Sequence, residues 1–287
     1  MTRAFSAPST VYPLPPPDLP MSRIAEAFAR ARGQGRAAFI AYLTAGDPSP
    51  EATVALARAL ERAGADVLEL GVPFSDPIAD GPVLQRAASR AIAAGTTLRT
   101  VFSIARRIRD ETSLALVLFS YLNPILRVGV ASAARQAREA GFDGVLVTDL
   151  PPEEAPAVQP LLRRAGLDTI FLVSPTSPPS RMEAAARLSS GFLYVVSRSG
   201  TTGARASLPK DLSQTLRRAR RAAGTLPVAI GFGISTPESA RQASRLADGV
   251  VVGSALVRAA EEAGTRREEA VGRLASGLAL ACRRGQK

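Results

Sequence analysis

The chain has 287 residues, a formal net charge of +11, 46% apolar residues and 21% charged residues. This is the composition of an ordinary globular protein, and the length suffices for one large buried core or two small ones. No apolar run approaches the roughly 20 residues that span a bilayer. The single cysteine, Cys282, excludes an intrachain disulfide framework and a cysteine-based metal cluster.

Histidine does not occur, and lysine occurs only as Lys210 and Lys287. A Ser-His-Asp triad, an imidazole base and a His-ligated zinc are thereby excluded. Nearly all of the 36 basic residues are arginines, which stay protonated near neutral pH. Proton transfer in an enzyme built from this chain falls to Asp, Glu, Tyr or water. The positive charge has two readings, a nucleic-acid partner or solvated helix faces. Its densest clusters are Arg217, Arg218, Arg220 and Arg221 and the stretch from Thr265 onward. They carry no interleaved aromatics and lie in no nucleic-acid-binding motif. Solvated faces are the simpler reading, and a positive surface also attracts an anionic metabolite.

In chain order, residues 1–20 come first. Six of them are prolines, which favour extended, solvated chain, and the stretch lacks the apolar region of a secretory signal. It is expected to be a Pro-rich disordered leader, followed by a single domain over residues 21–287 that opens with an extra N-terminal helix. Within that domain one unit recurs: an amphipathic helix, a Gly stop, an Asp and a short apolar strand. Copies are ERAGADVLELG (61–71), REAGFDGVLVTD (138–149) and RRAGLDTIFLV (163–173), with a looser one in SRLADGVVVG (244–253). Gly64, Gly141 and Gly166 suit the left-handed position that ends a helix.

Strands are predicted at 39–44, 67–71, 114–121, 144–149, 169–174, 192–197, 227–232 and 249–253. They are apolar nearly throughout, as parallel strands covered on both faces are. Helical patterns separate them; after the first strand, Ser49 is a helix N-cap with Pro50 behind it. Eight such units match a (β/α)8 barrel, typically of ~250 residues. The alternative is an open doubly wound sheet, but no Gly-rich dinucleotide fingerprint follows the first strand.

In a barrel the chemistry sits at the C-terminal ends of the strands. The second strand ends in LELGVPFSDPIADG (68–81), which places Glu69 inside an apolar strand. A carboxyl there faces either the barrel mouth or an arginine in the helix layer, and burial raises its pKa so that it serves as acid and base. Asp76 or Asp80 in the following loop completes a two-carboxylate site. The last three strands end in SRSGTTGA (197–204), GFGIS (231–235) and GSALV (253–257). Glycine turns beside a helix N-terminus accommodate an anion, and barrels commonly hold phosphate after strands seven and eight. The absent histidine excludes a Glu–His isomerase, and the barrel strands hold no lysine for a Schiff base. What remains is cofactor-free proton chemistry. It cleaves a C–C bond only in a substrate that is its own electron sink, such as an indole protonated at C3.

These motifs, with FIAYLTAGDP (39–48), YLNPIL (121–126) and VTDLPPEE (147–154), together resemble the tryptophan synthase alpha chain family from about Met21 to the last helix. The resemblance implies cleavage of indole-3-glycerol phosphate to indole and glyceraldehyde 3-phosphate. It gives Glu69 and Asp80 the catalytic positions, and places Tyr194 near Glu69. It sets Tyr42, Phe119, Tyr121, Leu146, Thr148, Val173 and Phe232 around the indole, and Thr202 in a loop that closes over substrate. Gly203, Gly233, Gly253 and Ser254 match the phosphate site. It further implies no metal and no cofactor on this chain, a cytoplasmic location and a beta chain carrying pyridoxal phosphate in an α2β2 heterotetramer. Asp76 and Pro77 match loop positions that communicate with that partner. Neither nucleic acid nor membrane is an expected partner. Two alternatives are a stand-alone lyase of the same chemistry and a nucleic-acid-binding barrel supported by charge alone.

Overall fold

The repeated helix–strand unit closes on itself. In a computed structural model describing residues 21–196, 212–231 and 233–284, eight parallel strands form a closed barrel in sequence order, with β1 paired to β8. The strands are β1 (Ala38–Thr44), β2 (Val67–Gly71), β3 (Ala115–Ser120), β4 (Gly144–Val147), β5 (Asp168–Val173), β6 (Leu193–Val196), β7 (Val228–Gly231) and β8 (Gly249–Val252). All fall within the predicted ranges except at Ala38 and Asp168, each one residue earlier than expected. The helices are α1 (Arg23–Gly33), α2 (Pro50–Arg62), α3 (Pro82–Ala93), α4 (Leu98–Glu111), α5 (Leu122–Val128), α6 (Val130–Glu139), α7 (Gln159–Arg164), α8 (Pro179–Leu188), α9 (Leu212–Ala223), α10 (Pro237–Ser244), α11 (Ser254–Ala263) and α12 (Arg267–Ala281). None of the described helices is long and apolar enough to cross a membrane. The proposed leader, residues 1–20, lies outside the described residues.

Local signals set the helix ends. Ser49 accepts a hydrogen bond from the Ala52 N–H and Pro50 follows at the first helical position, as expected. Gly64 and Gly141 stop α2 and α6 at φ of 98° and 92°, a conformation in which a side chain would be strained.

The two-residue period of the strands divides the apolar residues into two cores. On β3, Leu116 and Leu118 face the outer helices, whereas Ala115, Val117 and Phe119 face the barrel interior. The interior column is closed from below by α1, whose Ile24 and Phe28 join the inner cluster. Gly144 and Gly249 make room for this plug: a Cβ there would lie 2.7 Å from Ile24 and 2.9 Å from Phe28. Phe28 packs on Phe192 at 5.4 Å, and Phe192 lies 6.3 Å from Tyr194 in the layer above.

The aspartate of the repeat has a structural task. Asp66 accepts from the Phe39 N–H at 2.8 Å, Asp143 from Leu116 at 2.9 Å and Asp248 from Val228 at 3.0 Å, in each case at the start of a neighbouring strand. Arg36, Arg109 and Arg220 pair with the same three carboxylates. These latches lie at the N-terminal face of the barrel, opposite the end where chemistry is expected.

Candidate active site

Register places Glu69 beside Tyr42 across the β1–β2 ladder. Leu68 and Leu70 belong to the outer core and Val67 to the inner one, so the alternation turns Glu69 into the barrel. It is 1% exposed, and its Oε1 has no hydrogen-bond partner among the described residues. No arginine pairs with it among those residues, which removes the alternative of a structural ion pair. Burial alone pushes its carboxyl up to about 8. Near neutrality it is therefore protonated, an acid held in an apolar cavity with a proton to give.

The loop after β2 supplies the second carboxyl. Of the two candidates, Asp80 is buried and Asp76 exposed. Burial raises Asp80 to about 6, and a hydrogen bond from the Tyr121 hydroxyl acts in the opposite direction. The same phenol oxygen accepts from the Ala79 N–H at 3.0 Å, and its ring lies 5.2 Å from Phe74. Tyr121 therefore fastens this loop. Asp80 and Glu69 differ in environment, so near pH 7 one is ionised while the other is neutral.

Two phenols enter the inner column from different sides of the barrel. The Tyr42 hydroxyl lies against Gly71 and the Tyr194 hydroxyl against Gly231; a Cβ on either glycine would meet it at 2.1 Å and 2.0 Å. These two strand-ending glycines thus give room to tyrosines. Tyr42 is buried, 3.4 Å from the Thr44 hydroxyl and edge-on to Phe119 at 5.1 Å. Desolvation raises both phenols above their ordinary value, and nearby carboxyl groups add to the shift, so both remain hydrogen-bond donors.

Most of the expected indole pocket is brought together. Tyr42, Phe119, Leu146 and Tyr194 share the inner cluster, and half-buried Thr148 follows Leu146 on the same face, with its hydroxyl on the Ser120 carbonyl. Val173 is not with them. Leu172 pairs with inward-facing Tyr194, so Val173 turns outward into the helix-facing core and Leu172 lines the interior instead. On the phosphate side, Gly233, Gly253 and Ser254 are half-buried, and α11 begins at Ser254 directly after β8, which points its N-terminal N–H groups at the strand ends. Thr202, Gly203 and Phe232 lie outside the described residues. Sequence reasoning missed α3 as a member of the site: Val83, Leu84 and Ala87 pack into the inner cluster with Val257 of α11.

This arrangement combines a buried acid, a second buried carboxyl and a helix start at one end of a barrel. The sequence profile of the tryptophan synthase alpha chain family matches residues 28–281. The chain belongs to the tryptophan synthase alpha chain family. A relative from Solibacter usitatus is 51% identical over 242 residues, covering 84% of this chain and 90% of the relative. One from Ralstonia nicotianae is 50% identical over 253 residues, covering 88% and 94%. Among solved structures, Mycobacterium tuberculosis tryptophan synthase aligns at 37% identity with a TM-score of 0.84, over 92% of this chain and 99% of that one. A tryptophan synthase alpha chain from Legionella pneumophila gives 38% and 0.83, over 92% and 98%. The family's reaction is the lyase cleavage of indole-3-glycerol phosphate, and that is the activity of this chain. Membership is consistent with an alpha chain that carries no cofactor of its own.

Proposed function

We propose that Glu69 and Asp80 carry out the cleavage as an acid–base pair. Glu69 protonates C3 of the indole, and Asp80 accepts a hydrogen bond from the ring N–H, stabilising the cation that develops. The Glu69 carboxylate then takes the proton from the glycerol hydroxyl next to the ring. The C–C bond breaks, its electron pair returns to the ring, and indole and glyceraldehyde 3-phosphate separate with the acid regenerated. The observation that carries this reading is the buried Glu69 carboxyl inside the barrel, whose Oε1 has no hydrogen-bond partner among the described residues. Tyr42, Phe119, Tyr121, Leu146, Thr148, Tyr194 and Phe232 surround the indole in this reading, with Thr202 closing over it. Gly203, Gly233, Gly253 and Ser254 hold the phosphate. Glu69→Gln keeps the shape and removes the proton; indole release from indole-3-glycerol phosphate should fall below detection, and a rate near that of the parent refutes the assignment.

A beta chain carrying pyridoxal phosphate is the proposed acceptor of the indole, in an α2β2 assembly in the cytoplasm. Support comes from the mouth of the barrel, where Ile78 is 78% exposed, Leu126 52% and Val128 40%. Ile78 lies in the same loop as Asp76 and Pro77, and Leu126 and Val128 follow β3 on the neighbouring α5. An apolar patch beside the catalytic loop suits a protein partner that senses the site. Adding a beta chain should raise indole turnover; co-purification tests the assembly.

A further inference from the structure

The helix that follows the catalytic loop is held by a charge network that joins three segments. Arg90 of α3 donates to both oxygens of Asp47, from Nε at 2.8 Å and from Nη2 at 2.7 Å, and its Nη1 donates to Glu261 at 2.6 Å. Arg86, one turn earlier, donates to both oxygens of the same Glu261 at 3.1 Å and 2.9 Å. Two positive and two negative charges thus join three segments far apart in sequence. Asp47 lies in the loop after β1, Arg86 and Arg90 on α3, and Glu261 on α11.

Each segment carries part of the site. The β1 loop leaves the strand of Tyr42. The turn that follows α3 abuts that loop, since a Cβ on Gly46 would meet the Thr96 side chain at 2.0 Å. At its near end α3 is continuous with Asp80: Gln85 donates from its side chain to the Asp80 carbonyl at 2.9 Å and from its backbone to Gly81 at 3.0 Å. A tilt of α3 therefore carries Asp80 with it. The third segment, α11, begins at the proposed phosphate-holding residues. The outer Arg86–Glu261 pair adds little to folding, whereas Asp47 is 9% exposed and its two-bond pair with Arg90 ties the β1 loop firmly to α3. A displacement of ~1 Å between an anchored substrate and a catalytic group can cost about 100-fold in rate.

We propose that Arg90, acting with Asp47 and Glu261, is a positioning residue for the lyase reaction, fixing the offset between Asp80 and the phosphate-holding end of α11. The proposal rests on the reading of Asp80 given above. Arg90 is suited to the task because one planar guanidinium serves both acids in a fixed geometry, which an ammonium group cannot reproduce. Arg86 braces only one of the two joints, so its loss leaves the bridge through Arg90 standing.

A double-mutant cycle in the purified full-length chain, scored by indole formation, tests this. Arg90→Gln is expected to lower kcat/KM by about 10-fold, more through kcat than KM, in the parent background, and by less than about 2-fold in an Asp80→Asn background. Arg90→Lys, which keeps the charge and guards against misfolding, should show the same background dependence, and Arg86→Gln should stay within about 2-fold of the parent. Equal losses in both backgrounds, or no loss from Arg90→Gln or Arg90→Lys, overturn the positioning role. If Asp80→Asn alone keeps parent activity, the reading of Asp80 has failed, and this inference with it.

Discussion

Glu69→Gln should make the protein more stable while abolishing its reaction, and the gain should depend on pH. The carboxyl rises from an ordinary 4.5 to about 8 on folding. Between those values the native state binds more protons than the unfolded state, so stability falls as pH rises through the window and levels off above it. At about 1.4 kcal/mol per pH unit, the interval from 4.5 to 7 corresponds to about 3 kcal/mol withheld from the native state at pH 7. Glutamine cannot ionise in the unfolded chain, so the variant lacks this slope. For a domain of this size 1 kcal/mol is roughly 2 °C in Tm. The variant should therefore melt about 6 °C above the parent at pH 7, somewhat more at pH 8.5, and with the gap closing towards pH 4.5. Thermal unfolding of both proteins across pH 4.5 to 8.5 reads this directly, because the other titrating groups cancel in the difference. A gap that stays constant with pH, or widens towards acid, refutes the placement of a neutral Glu69 in the barrel.

The rate should report the same two carboxyls. kcat/KM for indole formation is expected to rise through about pH 6 as Asp80 ionises and to fall through about pH 8 as Glu69 loses its proton. A flat profile between pH 5 and 9 contradicts that pairing. Tyr121→Phe removes a donor to Asp80 and a tether to Ala79, so the acid limb should move upward in pH; an unmoved limb means the phenol only packs. Gly71→Ala places a Cβ 2.1 Å from the Tyr42 hydroxyl. Overpacking of this kind costs about 1–3 kcal/mol, measurable by denaturant unfolding, and KM should rise as the phenol is displaced. Asp66→Asn breaks a buried pair at the opposite face, where Arg36 donates at 2.8 Å. It should cost about 3–5 kcal/mol of stability and leave KM unchanged, and a changed KM would contradict the separation of the two faces.

The barrel was legible because its information is local and repeated. Each strand is a short apolar run, three of them follow a glycine stop and an aspartate, and the count of eight is itself a fold signature. The acid was legible for a related reason: a carboxyl between Leu68 and Leu70 has few structural uses. What escaped notice depends on contacts between distant segments. Arg90 meets an aspartate 43 positions before it and a glutamate 171 positions after it, and nothing near any of the three marks the meeting. The plugging of the barrel by Ile24 and Phe28 was equally invisible, since an amphipathic helix does not announce which surface it will cover. Val173 shows a subtler limit: on an apolar strand the two faces look alike, and only the pairing of Leu172 with Tyr194 tells inside from outside.

The plug beneath the barrel also governs traffic. With Ile24, Phe28 and Phe192 stacked under the reacting layer, a molecule freed beside Glu69 has no downward route among the described residues, so whatever enters at the rim must also depart there. Arrival and departure then both take place at the strand-end face, the face that carries Ile78 and α5.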